Sequence, residues 1–159
     1  MSDAPAPVVG FAPEEVRTDE PTRFARLKWV VVVDGALPPG RAVNAAVCAA
    51  AATTAAVPGL LGPQAEDGTG SVHPGLPWAG CSVLSATAEQ LRAVRARATA
   101  SLGVFVADMP AAAQSTRVYD EYLAEVAGAD PDALDYCAVS VVGPRNRVDK
   151  IIGKLRLLP

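Results

Sequence analysis

The sequence has a single histidine, His73, and neither a CxxC nor an HxxxE spacing. A site needing two imidazoles is therefore excluded, and a structural zinc site, which draws on several Cys, His or carboxylate ligands at short spacings, is not expected. Its cysteines, Cys48, Cys81 and Cys137, are odd in number and widely spaced. The amino terminus lacks the positive-then-apolar pattern of a secretory signal, so the expectation is a reduced, cytoplasmic protein without disulfides. The longest apolar runs, such as Ala45–Ala52, fall well short of the ~20 residues that cross a bilayer, so no membrane partner is expected. A basic surplus is also missing. With 14 basic and 17 acidic side chains, a net charge of −3 and a pI near 5.1, nucleic acid is disfavoured as a partner. No GxSxG, P-loop or GxGxxG motif occurs, which removes the commonest local signatures of acyl transfer and nucleotide binding.

What is present suffices for a core. Half of the 159 residues are apolar and 19% are charged, a length and composition expected of one globular domain. Residues Met1 to Pro21 carry Pro5, Pro7, Pro13 and Pro21 and few large side chains. They read as a flexible tail over 1–22 that precedes a single domain over 23–159. Phe11 is the residue able to anchor that tail, and "TRFARLKW" fits a short helical turn leading into the first strand.

"WVVVV" (Trp29 to Val33) is a β-branched run without polar alternation, as expected of a strand covered on both faces. It ends at Asp34. Pro38 or Pro39 can then open a helix over "RAVNAAVCAAAATTAA", whose alanines favour helix and leave almost no side-chain bulk. Apolar residues surround most of its circumference, which predicts burial by the sheet on one side and another element on the other. Val57 to Pro77 is rich in Gly and Pro and reads as loops or an irregular hairpin. "CSVLSA" (Cys81 to Ala86) fits a second strand. Thr87 and Gln90 have the capping-box spacing for a helix over about Ala88 to Ala100. "GVFVA" (Gly103 to Ala107) fits a third strand ending at Asp108. One helix then follows Pro110, with Thr116, Tyr119, Leu123 and Val126 on its apolar face, and it closes at Gly128. Cys137 to Val142 fits a fourth strand, "RVDKII" a short helix capped by Gly153, and "KLRLL" an edge strand. Alternating strands and helices predict an α/β fold: three layers, with a mixed, mostly parallel sheet of four to five strands and helices on both faces.

Ligands of open α/β sheets bind beyond the carboxyl ends of the strands. Applied here, that rule gathers Asp34 and the "LPPGR" loop, Asp108 with "MPAAAQST", and Gly143, Arg145 and Asn146. Asp108 either acts as base or water-positioner or caps the following helix. Gln114, Ser115 and Thr116 would form one polar cluster with it, and Thr116 can equally bond back to a helix carbonyl. Asn44, nearly alone as a polar side chain in the alanine helix, needs a partner or contacts a ligand. His73, on a Gly/Pro-rich loop, is a candidate proton carrier. A pairing of His73 with Cys81 is weighed against Cys81 as an ordinary buried hydrophobe.

"VVVVDGALPPGRAVNAAVCAAAA" resembles the opening strand, loop and helix of type II peptidyl-tRNA hydrolases, and "AVSVVGPRNRVDKIIGKLRLL" resembles their closing strand, Gly-Pro turn, helix and last strand. The combination of "LPPG", "NAA", "HPGLP", "AQST", "VGP" and "GKL" is more similar still to a domain-of-unknown-function family of that fold, over about Leu27 to Leu158. The resemblance implies a metal-independent ester or amide hydrolase without cofactor, acting on an acyl or aminoacyl compound. Asp108, His73 and Thr116 would be catalytic, and Asn44, Gln114, Ser115, Arg41, Arg145 and Asn146 would bind substrate. Val43 stands where the hydrolases carry a catalytic lysine, and Arg41 cannot replace a lysine's proton chemistry. The alternative is therefore a non-catalytic small-molecule-binding or interaction protein on the same scaffold. The basic residues near the carboxyl end, Arg145, Arg147, Lys150, Lys154 and Arg156, suit one small anion or a terminal nucleotide. The alanine-rich helix suits a homodimer interface.

Overall fold

The structure, a computed structural model, describes residues 8–159. Five strands form one mixed sheet in the order β5-β6-β1-β4-β7. They are β1 (Leu27–Asp34), β4 (Ser82–Ala86), β5 (Phe105–Pro110), β6 (Tyr136–Pro144) and β7 (Arg156–Leu157), while β2 (Ala65–Glu66) and β3 (Val72–His73) make a separate hairpin. The helices are α1 (Pro39–Ala56), α2 (Ala88–Thr99), α3 (Ala112–Ser115), α4 (Tyr119–Ala127) and α5 (Arg145–Ile152). The α/β class is as the sequence predicts, but the sheet is not mostly parallel. Only β1 and β4 run parallel, whereas β1–β6, β5–β6 and β4–β7 are antiparallel.

Alternation along β1 divides the core in two. Trp29, Val31 and Val33 meet Ala42, Ala45 and Ala49 of α1; Val30 and Val32 meet Leu91, Val94 and Ala98 of α2 and Val148, Ile151 and Ile152 of α5. Alanine at successive turns lets α1 lie close to the sheet. Its opposite side is bare among the described residues, with Val43 and Val47 60% and 61% exposed, so none of those residues supplies the second covering element expected from its apolar circumference. The helix expected after Pro110 is two pieces. Thr116 is extended at φ −99°, ψ 153°, ending α3, and Val118 is extended at the start of α4.

Thr87 and Gln90 close the expected capping box on α2. Gly153 takes φ 57° after α5, a conformation that favours glycine. Among the described residues, no helix is long and apolar enough to cross a membrane.

Of the tail predicted over 1–22, residues 1–7 lie outside the described residues; the stretch around Phe11 docks on the body, and residues 18–22 are exposed. Phe11 is buried, its amide donates to the Pro58 carbonyl at 2.9 Å, and its ring lies 4.9 Å from that of Trp78. Gly59, at φ 76°, admits this close approach, because a Cβ there would sit 2.6 Å from the Phe11 carbonyl oxygen. Thr22–Phe24 forms the expected short turn. Arg26 latches the segment, donating from Nε to Glu15 at 2.5 Å and from Nη2 to the Gly10 carbonyl at 2.8 Å.

Arg26, with help from the Ala12 amide, lowers the Glu15 pKa from 4.5 to about 2. A carboxyl depressed in the folded state contributes stability that is complete above its unfolded value and is lost as pH falls through the folded one. Protection of the Phe11 amide against hydrogen exchange, corrected for intrinsic rate, is expected to fall between pH 4.5 and pH 2. In Glu15→Gln it should be lower at neutral pH and nearly independent of pH over that window. Unchanged protection in the variant would remove the latch.

Candidate functional site in a cleft at the β5 edge

Because β6 runs against β1, its carboxyl end lies beside the start of β1, with Leu27 opposite Pro144. Arg145 and Asn146 are therefore at the end of the sheet remote from Asp34 and Pro110, and the predicted grouping of all strand ends at one pole is corrected. Arg145 works structurally there: its Nε donates to the Ala25 carbonyl at 2.7 Å and its Nη2 to the Thr22 carbonyl at 2.6 Å. Asn146 is exposed in the first turn of α5.

Three predicted binding residues do meet. Gln114, on α3, accepts from Arg41 Nε at 2.9 Å and donates from Nε2 to the Arg41 carbonyl at 2.8 Å and to Asn44 Oδ1 at 3.3 Å. These bonds stitch α3 to the first turns of α1 and give Asn44 the partner its position demanded. Ser115 and Thr116 donate back to the Ala112 carbonyl at 3.1 and 2.9 Å, the structural alternative weighed for Thr116. Asp34 accepts from the Ala36 amide at 2.9 Å and shapes the turn after β1.

Asp108 does not join that group. Strand β5 continues to Pro110, which puts Asp108 inside the strand, opposite Val139 of β6. By alternation its side chain takes the face of Val104 and Val106, toward α2. There Arg95 Nε donates to Asp108 Oδ2 at 2.7 Å, and the Arg95 guanidinium lies over the Tyr136 ring at 5.2 Å. Asn44 and Gln114 bond to each other between α1 and α3, whereas the Asp108 carboxylate is held from α2 by Arg95, so the proposed base and the proposed carbonyl-holding amides share no hydrogen bond. Asp108 is not the helix cap either, since Ala111 occupies that position in α3.

His73 is exposed on the β2–β3 hairpin, with Nε2 3.4 Å from Asp67 Oδ2. Cys81 is not its partner: the thiol donates toward the Ser82 carbonyl at 3.9 Å. Although the residue as a whole is exposed, desolvation of its thiol pushes the pKa up to about 12. A thiol kept neutral is no nucleophile at neutral pH. Among the described residues, no cluster of three or more His, Cys, Asp or Glu side chains could hold a metal ion.

An open cleft of about 410 Å³ lies at the free edge of β5, between α1 and the α3–α4 segment. It is lined by Cys48 and Ala52 of α1, by Met109 of β5, and by Ala113, Val118, Tyr119 and Tyr122 of the α3–α4 segment. The two tyrosine rings pack edge to face with centroids 5.4 Å apart. Burial, and then the neighbouring Tyr119 and Asp108, raises the Tyr122 pKa above its ordinary value, so it keeps its phenolic proton. Thr116 and Arg117 line the same opening, and Arg117 forms no ion pair among the described residues. Of the residues expected to be catalytic or to bind substrate, Asp108 and Thr116 line this cleft, as does Tyr119, expected on an apolar helix face, whereas Tyr122, Cys48 and Met109 were not expected there. The i, i+3 spacing of Tyr119 and Tyr122 was the available signal for a paired aromatic face.

An α/β protein with a mixed five-stranded sheet, helices on both faces and an edge cleft is the class these features define. The chain matches the family described as "Protein of unknown function (DUF2000)" over residues 27–159, and it belongs to that family. A protein of unknown function from Agrobacterium tumefaciens strain C58, Atu0240, is similar in structure, with a TM-score of 0.77 at 19% identity over 83% of this chain and 97% of that one. At that identity the likeness shows the shared fold. No curated protein matches the sequence.

Proposed function

We propose that this protein binds a small, largely apolar, ring-bearing molecule with an anionic end in the cleft between α1 and α4, without transforming it. The observation that carries this reading is α4 itself. It presents Tyr119, Tyr122, Leu123 and Val126 at i, i+3, i+4 and i+7, yet none of its residues is buried. An amphipathic helix normally derives most of its stability from burying that face. Here Tyr119 and Tyr122 line an open cleft instead, and an apolar occupant would supply the missing contact. Ring stacking on the tyrosines and a charge contact to Arg117 set the ligand class.

The resemblance to type II peptidyl-tRNA hydrolases favours ester or amide cleavage, but that chemistry asks Asp108 to act together with Asn44 and Gln114. Asp108 is engaged by Arg95 of α2, both polar groups of Gln114 are already bonded, and Val43 replaces the lysine. Binding without turnover is the function the geometry supports best.

Titration with anilinonaphthalene sulfonate, an aromatic anion, tests the reading. Saturable fluorescence enhancement at one site is expected. Removing one stacking ring by Tyr122→Ala should weaken binding roughly tenfold, the equivalent of about 1.4 kcal/mol, and Ala52→Trp should abolish it by filling the cleft. Equal binding in both variants would refute the cleft. Turnover of an acyl-tRNA or acyl-ester panel, governed by one carboxylate and lost in Asp108→Asn, would instead establish the hydrolase.

A further inference from the structure

The chain is acidic, yet its α2–α5 layer carries a run of cations left without carboxylate partners. Two hollows between these helices share Arg97. One, of about 300 Å³, has Arg97, Ser101, Arg147 and Lys150 around a floor that includes Ala100 and Ile151. The other, of about 390 Å³, extends past Gly153 to Lys154. Arg97, Arg147, Lys150 and Lys154 form no ion pair among the described residues, although Arg17, Arg26, Lys28, Arg92 and Arg95 each do. The acid of α5, Asp149, is taken by Lys28 at 2.7 Å. Glu89 is the acidic side chain along the groove, and it lines the hollow that does not contain Arg147 and Lys150.

We infer that the hollow formed by Arg97, Arg147 and Lys150 is an anion site for an oligophosphate, that is, several phosphates on one short chain. Arg147 and Lys150 are one helical turn apart, which sets their Cβ atoms about 5–6 Å from each other, and Arg97 faces them from α2. Three cations around one small hollow exceed what a single carboxylate would neutralise. Guanidinium forks match phosphate oxygens in pairs, while the lysine adds a movable point charge. Arg147 is positioned in advance, because its Nη1 donates to the Leu102 carbonyl. The carbonyls of the last turn of α2 are themselves engaged, that of Arg97 accepting from Ser101 Oγ at 2.9 Å and that of Arg95 from Thr99 Oγ1 at 2.9 Å. No aromatic side chain lines either hollow, so nothing there can stack on a base, and the phosphate chain is the group recognised. This site lies on the opposite side of the sheet from α1 and does not depend on the cleft.

Thermal unfolding and isothermal titration with inorganic tripolyphosphate, and separately with ATP, test it at low ionic strength. Both ligands should raise Tm and bind with affinities within a few-fold of each other. Binding should weaken about tenfold or more in 0.5 M salt, where surface charges are screened. Lys150→Gln, an exposed change with no packing role, should weaken tripolyphosphate binding severalfold. Arg97→Gln combined with Lys150→Gln should abolish it, while Arg156→Gln, outside the hollow, should leave it intact. Equal binding by wild type and the double variant, or a Tm increase reproduced by sulfate at matched ionic strength, would overturn the site. A single-stranded oligonucleotide that binds while tripolyphosphate does not would overturn the ligand class.

Discussion

Replacing Ser140 with alanine is expected to destabilise the fold by about 2–3 kcal/mol, a large share of the 5–15 kcal/mol typical of a domain. Ser140 is fully buried in β6. Its Oγ accepts from Trp29 Nε1 at 2.8 Å and lies 2.7 Å from Thr53 Oγ1. Thr53 donates its only proton to the Ala49 carbonyl at 2.7 Å, so Ser140 must donate to Thr53. The result is a directed chain, Trp29 to Ser140 to Thr53 to Ala49, that joins β1, β6 and α1. No buried side-chain nitrogen or oxygen among the described residues lacks a partner. Ser140→Ala would strand the Trp29 indole N–H and deprive Thr53 of its donor at once. Urea unfolding should show a lower midpoint at unchanged slope. Thr53→Val should cost less, because it leaves the Trp29–Ser140 bond in place. The double variant should cost less than the sum, since the two side chains share one bond. Additive effects would show that the three groups do not act as one network.

The parts of this fold written in local signals were legible in the sequence. The β-branched run of β1, the Thr87–Gln90 capping box and Gly153 after α5 each specify their element with residues adjacent in the chain. Strand direction is different. β6 is as apolar as a parallel central strand because both of its faces are covered, by α1 on one side and by α2 and α5 on the other. Burial on two faces, rather than parallel pairing, is what writes such a run. Nothing local told that β6 enters beside Asp34 and leaves beside Leu27, and Arg145 and Asn146 were assigned to the wrong pole for that reason.

Asp108 shows how the length of a strand decides a site. With the strand ending at Ala107, Asp108 would stand free at the tip; with the strand continuing to Pro110, the pleat turns it toward Arg95. Inside a strand, alternation commits a side chain to one face of the sheet, whereas beyond the last paired residue it is free to turn toward a ligand. Arg95 lies in an ordinary amphipathic helix, so its pairing with Asp108 had no mark in the sequence. The Arg41–Asn44–Gln114 contacts were half legible. An amide among alanines signals an unmet need, and the structure shows it met by another side chain of the same protein.

α1 carries the second large expected effect, in which two substitutions on one helix separate sharply. Ala49 is 1% exposed and packs on the sheet, whereas Val47, two residues away, is 61% exposed. Ala49→Glu would place a carboxylate among Trp29, Val31 and Val33 with no cation to meet it, at a cost of about 4 kcal/mol or more. The expected result is loss of the cooperative unfolding transition or a steep fall in its midpoint. Val47→Glu should stay within about 0.5 kcal/mol of wild type, since it touches neither core cluster. Ala49→Glu therefore cannot report on self-association through this helix, because it would unfold the subunit before breaking a dimer. Val47→Glu is the informative variant. If sedimentation shows wild type as a dimer and Val47→Glu as a folded monomer, α1 pairs through its outer face. If both sediment as monomers, the exposed Val43–Val47 stripe is simply solvated. If Ala49→Glu proves as stable as Val47→Glu, the orientation of α1 described here is wrong, and with it the placement of Cys48 and Ala52 on the wall of the cleft.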